Sequence, residues 1–121
     1  MLKAECMKSL GTLPNTWTTI QKRPFIDCEF MHDMGNSFGG MSSYNELIDK
    51  YPMYQGGFIW DFIDQALLVH DPISNKEVLR YGGDFDDRHS DYDFSGDGLC
   101  FANRQPKQAM QEVYYYYGLH K

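Results

Sequence analysis

What most constrains this chain is a succession of patterns: an apolar run over 24–30, a helical-period stretch over 40–51, and a second apolar run over 57–63. In the middle stretch Met41, Tyr44, Leu47, Ile48 and Tyr51 recur at the spacing that lines one face of a helix, and Pro52 ends it. The run 57-GFIWDFI-63 is almost continuously apolar, as in strands covered on both faces of a parallel sheet. Strand, helix, strand in that order predicts a βαβ unit and an α/β fold. At the amino end Leu2, Cys6 and Leu10 stand four residues apart before Gly11, which predicts a short amphipathic helix over 1–10. Residues 66–70 and 77–81 flank the turn-rich 71-DPISNK-76 and predict a protruding hairpin. Residues 82–98, with six Asp and four Gly, form a loop too long to be a mere connector. A last helix is predicted to start at Pro106, to line one face with Ala109, Val113 and Tyr117, and to close at Gly118.

Composition removes several classes of function. The 121 residues, 42% hydrophobic and 16% aromatic, can bury one core. Seventeen acidic against eleven basic residues give a net charge of -6, and no basic run exceeds Lys22-Arg23, so a surface that tracks nucleic-acid phosphates is not expected. The amino end has no apolar stretch of signal-peptide length, and nowhere do about eighteen apolar residues run together. A soluble, cytoplasmic chain without membrane contact is the expectation. Cys6, Cys28 and Cys100 are odd in number and lack CxxC spacing, which argues against a disulfide framework and a structural zinc site.

The chemistry concentrates in 24-PFIDCEFMHDMGNS-37, where an apolar run carries Asp27 and Glu29 and then dissolves into polar residues. In βα architectures the reacting groups collect at the carboxyl ends of strands, where loops vary while strands stay rigid. Glu29 stands at one such end, and Trp60 and Asp61 at the next. A carboxylate beside an indole suits a sugar: the ring covers the C–H face of a pyranose while the carboxylate attacks or stabilises the anomeric carbon. The plainer alternatives are a salt-bridged Glu29, a core Trp60 and an ordinary hydrogen-bonded His32. The segment 91-DYDFSGDG-98 imitates the first half of a calcium loop, but the closing glutamate position falls at Ala102. What is left there is a weaker oxygen-rich cation site.

The blocks 27-DCEFMHDMGNSFGG-40, 55-QGGFIWDFIDQALL-68, 81-YGGDFDD-87 and 98-GLCFANRQPKQAM-110 together resemble the end of the catalytic barrel of glycoside hydrolase family 2 β-galactosidases. The likeness is nearest to the large subunit of the two-subunit enzymes of lactic acid bacteria and covers about residues 22–118, while 1–21 fit poorly. It implies the C-terminal portion of a (β/α)8 TIM barrel, its last two βα units, with the long Asp-rich loop between hairpin and helix. It also implies retaining hydrolysis of terminal β-galactose residues, as in lactose, with Glu29 as nucleophile and with His32 and Trp60 contacting the galactose. A sodium ion near the sugar would be held by the backbone carbonyl of Phe94 and the side chain of Asp97. Family members carry Asn at that last position, so Asp97 adds a negative charge that implies either a tighter ion or a differently tuned loop.

The acid/base glutamate, the magnesium ligands and a tyrosine of the family lie on earlier barrel strands and match nothing in this chain. A truncated reading frame or a fragment beginning at an internal methionine is therefore expected, inactive by itself. Its implied partners are the upstream barrel polypeptide or a partner subunit within an oligomeric complete enzyme. The alternative is a catalytically inactive remnant that binds sugar or assists subunit assembly.

Overall fold

The computed structural model describes residues 3–6, as backbone, and 24–120. Contacts group the chain into two compact units: Met1–Met31, Gly39–Trp60 and Glu112–Lys121 in the first, and His32–Phe38 with Asp61–Gln111 in the second.

In the first unit β1 (Lys3–Cys6), β2 (Phe25–Phe30) and β3 (Tyr54–Ile59) form a parallel sheet in the order β1-β2-β3. Helix α1 (Met41–Lys50) connects β2 to β3, so the βαβ unit is present as its periodicities predict. The helix buries the face that carries Tyr44, Leu47 and Tyr51 against Phe25 and Tyr54, whose rings stack with centroids 6.1 Å apart. Both rings are almost wholly buried, and each contributes roughly 2–3 kcal/mol of apolar transfer free energy. Burial, with the Asp27 charge beside it, pushes the Tyr54 hydroxyl well above its usual range. Gly57 allows β2 and β3 to approach, since a Cβ there would stand 2.8 Å from the Phe30 ring and 3.0 Å from the Asp27 carbonyl. The carboxylate of Glu112, on the last helix α2 (Met110–Leu119), accepts the Met41 amide at 2.8 Å and satisfies an orphan donor at the start of α1.

Four sequence expectations are corrected here. Residues 3–6 are a strand, and the remainder of the helix expected over 1–10 lies outside the described residues. Leu2, Ala4 and Cys6 also alternate with polar neighbours, and pairing with the remote β2 selects that period over the helical one. Strand β3 begins three residues earlier than the apolar run and stops before Trp60. It is not covered on both faces, since Phe58 is 62% exposed. Helix α2 begins at Met110, because Pro106 pairs with Cys100 in an antiparallel bridge; it then runs through Gly118 to Leu119. Cys28 is disulfide-bonded, although the number and spacing of the cysteines argue against a disulfide framework, while Cys100 is free and buried.

In the second unit β4 (Leu67–Asp71) and β5 (Lys76–Arg80) form the expected antiparallel hairpin. Its turn is built on Asp71. One carboxylate oxygen accepts the Ser74 amide at 2.8 Å and the Ser74 hydroxyl at 2.6 Å, while the other takes the Arg80 guanidinium at 2.9 Å. The Ser74 bonds chiefly hold this carboxyl below its ordinary value of 3.8. A depressed acid stabilises the fold above its unfolded pKa, and that contribution is lost as pH falls through the lower folded value. Asp71→Ala is therefore expected to speed amide exchange at the hairpin turn on the order of tenfold at neutral pH. Wild-type exchange should approach the variant's only below about pH 3.8. Exchange measured by mass spectrometry at both pH values checks this, and equal neutral-pH rates would remove the anchor from Asp71. In the Asp-rich loop Asp84 and Asp87 accept the backbone amides of Tyr81, Gly83 and Phe85, so these carboxylates shape turns. A short 3-10 turn, Tyr92–Gly96, follows. No helix among the described residues is long and apolar enough to cross a membrane.

Candidate active site

The predicted site residues fall on both units. Glu29 and Trp60 belong to the first; His32, Phe94 and Asp97 belong to the second.

Glu29 is the penultimate residue of β2, and Trp60 directly follows β3. The two strands are parallel neighbours, so both residues stand at the carboxyl edge of the sheet, where βα loops begin. The register shows how a carboxylate escapes the apolar strand. On the β1 side Glu5 pairs with Asp27 but Cys6 with Glu29; on the β3 side Gly57 pairs with Asp27 and Ile59 with Phe30. Both ladders shift just before or across Glu29, which marks an extra residue in β2. Burial shifts with them. Phe25 and Asp27 are buried in alternation, but the next buried residue is Phe30, and Glu29 is left half-buried. The irregularity gives the core its aromatic, packed edge-on against Tyr44 at 4.9 Å, and turns the carboxylate out of that position. Trp60, 37% exposed, is too open for a purely core role. An apolar cavity of about 480 Å³ in this unit is lined by Phe30, Met41, Tyr44 and Tyr54 among others, and by none of the candidate residues.

In the second unit His32 and Phe94 lie with ring centroids 5.5 Å apart, and the carbonyl of Asp97 accepts the amides of Asp33 at 3.2 Å and Asp61 at 3.1 Å. The Asp97 side chain is fully buried, and neither of its oxygens has a hydrogen-bond partner among the described residues. Burial, aided by the Asp61 charge and opposed by His32, pushes its carboxyl up to about 6. An ionised, buried carboxylate with unmet lone pairs calls for a cation. Asp33 is also buried with one oxygen unpartnered; burial raises its pKa, and the Lys107 charge opposes that shift. Among the described residues no three His, Cys, Asp or Glu side chains converge as a metal site. The donor set suits a monovalent ion held by one carboxylate and backbone carbonyls better than a side-chain centre for a transition metal.

Two residues of this unit were not legible as site residues. Lys107 forms an ion pair with Asp64 at 2.8 Å, and the same Asp64 oxygen accepts the Gly98 amide at 2.8 Å. Both stand inside the family-like blocks 55–68 and 98–110, but the two are 43 positions apart and no local pattern joins them.

A carboxylate and an indole at the carboxyl ends of neighbouring parallel strands of a βαβ sheet are features of an α/β sugar hydrolase. The whole chain, residues 1–121, matches the family model described as glycosyl hydrolases family 2, TIM barrel domain, and it belongs to that family. It is 80% identical over 99 residues to the β-galactosidase large subunit of Leuconostoc lactis, a match covering 82% of this chain and 16% of the relative. Identity to the β-galactosidase large subunit of Lactobacillus acidophilus is 78% over 100 residues, covering 83% of this chain and 16% of that protein. The β-galactosidase of Halalkalibacterium halodurans is 58% identical over 100 residues, covering 83% and 10% respectively. The chain thus spans about a sixth or less of the length of these relatives.

Proposed function

We propose that this chain is the nucleophile-bearing portion of a retaining β-galactosidase, formed by the last two βα units of its barrel. Glu29 attacks the anomeric carbon and forms a covalent galactosyl-enzyme, which water then hydrolyses. Trp60 stacks on the sugar, and His32 hydrogen-bonds its hydroxyls. Sodium fits the second unit because Asp97 offers two buried, unpartnered oxygens. Asp97 and the Phe94 carbonyl would hold it, and the bound ion would neutralise the carboxylate and orient a galactose hydroxyl. The proton donor for the leaving group comes from polypeptide that this chain does not match, as do the magnesium ligands. A partner subunit is part of the same proposal, since the relatives from Leuconostoc lactis and Lactobacillus acidophilus are named as large subunits.

The observation that carries this reading is the strand irregularity that turns Glu29 out of the core position at the carboxyl edge of β2, where the neighbouring strand leads to Trp60. A second reading, an inactive assembly remnant, draws on the exposed Phe58, Phe62, Leu67 and Leu68, which are 61% to 64% open and suit packing against further polypeptide.

One experiment separates the two. The segment is grafted in frame into a full-length relative, and a mechanism-based fluorosugar is used to trap the intermediate. Label on the peptide containing Glu29 is the expected result; label on Asp27, Asp33 or Asp61 would overturn the assignment. Residues 1–121 alone are expected to give no turnover of an aryl β-galactoside, for want of a proton donor. Turnover on the order of 10 per second would show that the chain carries its own acid.

A further inference from the structure

Lys107 has three N–H donors, and the second unit uses all of them. The ammonium contacts the Asp64 carboxylate at 2.8 Å, the Gly96 carbonyl at 2.8 Å and the Asp33 carbonyl at 3.2 Å. Its side chain is 12% exposed and that of Asp64 10%, so water competes little for these bonds. The ammonium also lies 5.5 Å from the centre of the Phe101 ring. Each contact ends next to a residue of the candidate sugar and cation pocket. Gly96 precedes Asp97, Asp33 follows His32, and Asp64 accepts the amide of Gly98 on the other side of Asp97. The Lys107 amide in turn donates to the Leu99 carbonyl at 2.9 Å. Asp97 is thus bracketed on both sides by groups that Lys107 ties together.

We propose that Lys107 is a positioning residue, a three-point strut that fixes the 94–98 loop against the segment after β2 and so sets where Asp97 and His32 present their side chains. The inference rests on the sodium and galactose reading of that pocket. The strut works by geometry more than by charge. Two of its three acceptors are main-chain carbonyls, which a charge alone would not place. A planar guanidinium cannot make three contacts around one nitrogen, so arginine would keep the charge and lose the strut.

The test uses the full-length enzyme carrying this segment, with sodium-linked elevation of the unfolding temperature as readout. Lys107→Met alone would leave the Asp64 carboxylate buried and unpaired, so the main variant is Lys107→Met with Asp64→Asn, which removes both charges and keeps an acceptor for the Gly98 amide. Expected is a sodium midpoint weakened roughly 10- to 100-fold, the range for groups that orient metal ligands. Lys107→Arg should fail to restore it, and amide exchange over 94–100 should rise in both variants. A wild-type response to sodium that both variants retain within twofold overturns the strut alone, even if both melt earlier. Absence of any sodium response in the wild type overturns the underlying reading and the strut with it.

Discussion

Glu29→Gln in the full-length enzyme carrying this segment is expected to lower turnover of an aryl β-galactoside about 10⁴-fold or more, the scale reached when a covalent nucleophile is removed. Its unfolding midpoint should hardly move. The two halves of that statement have separate causes. Glutamine keeps the shape of glutamate but cannot form the ester that splits glycoside cleavage into two steps. Glu29 is half-buried at a strand irregularity, and Phe30 takes the core position beyond it, so the core loses nothing with the charge. His32→Ala and Trp60→Ala make the contrast: both should raise KM as well as reduce kcat, because such contacts form with the bound substrate too. Steady-state kinetics on the three variants decides. Near-normal turnover by the glutamine variant would return Glu29 to an ordinary strand-end carboxylate.

Gly98→Ala is expected to cost about 3 kcal/mol, at the upper end for overpacking, because the new methyl meets backbone on every close side. It would overlap the Asp64 amide nitrogen and stand 2.5 Å from the Ile63 carbonyl carbon and 2.8 Å from the Ile63 Cα. Backbone cannot swing aside as a side-chain tip can. The 97–99 strand of contacts must then separate from 61–64, breaking the Leu99 amide to Asp61 carbonyl bond of 3.0 Å and the Gly98 amide to Asp64 bond of 2.8 Å. Asp97 moves with them, so the sodium binding proposed for it should be lost together with stability. Gly96→Ala is the control, since nothing lies within 4 Å of a Cβ there. Chemical denaturation of both variants checks the pair of expectations; a Gly98→Ala protein as stable as its Gly96→Ala control would mean that the close approach is relaxed in solution.

The elements legible from sequence were those whose own residues carry the signal. Helix α1 shows its buried Tyr44, Leu47 and Tyr51 at helical spacing, and the β4–β5 hairpin announces its turn with Asp71, Pro72, Ser74 and Asn75. Strand β1 was misread because the same few residues satisfy both periods, and only β2, some twenty positions on, decides between them. Strand β3 begins with Tyr54, which favours strands, but continues with Gln55, Gly56 and Gly57, which do not; its identity comes from pairing with β2. Pro106 suggested a helix start, but it lies in a bridge to Cys100, with the Phe101 amide donating to the Gln105 carbonyl and the Lys107 amide to the Leu99 carbonyl. The positions of Glu29 and Trp60 at the ends of neighbouring strands were readable from the apolar runs that carry them. Lys107 was not, because two of its three acceptors are main-chain carbonyls, which no side-chain pattern encodes.

The extra residue in β2 sets a limit on how this segment could be improved. Redrawing β2 as an evenly pleated strand with the same residues would remove its register shifts at Glu29, a change that any procedure scoring regular backbone would favour. By the period of two, even alternation would also send Glu29 toward the inside and Phe30 toward the outside, so that the better strand would no longer present the proposed nucleophile. Consensus redesign, ancestral smoothing or backbone idealisation of this domain would need to hold that one irregularity fixed as a functional residue in its own right.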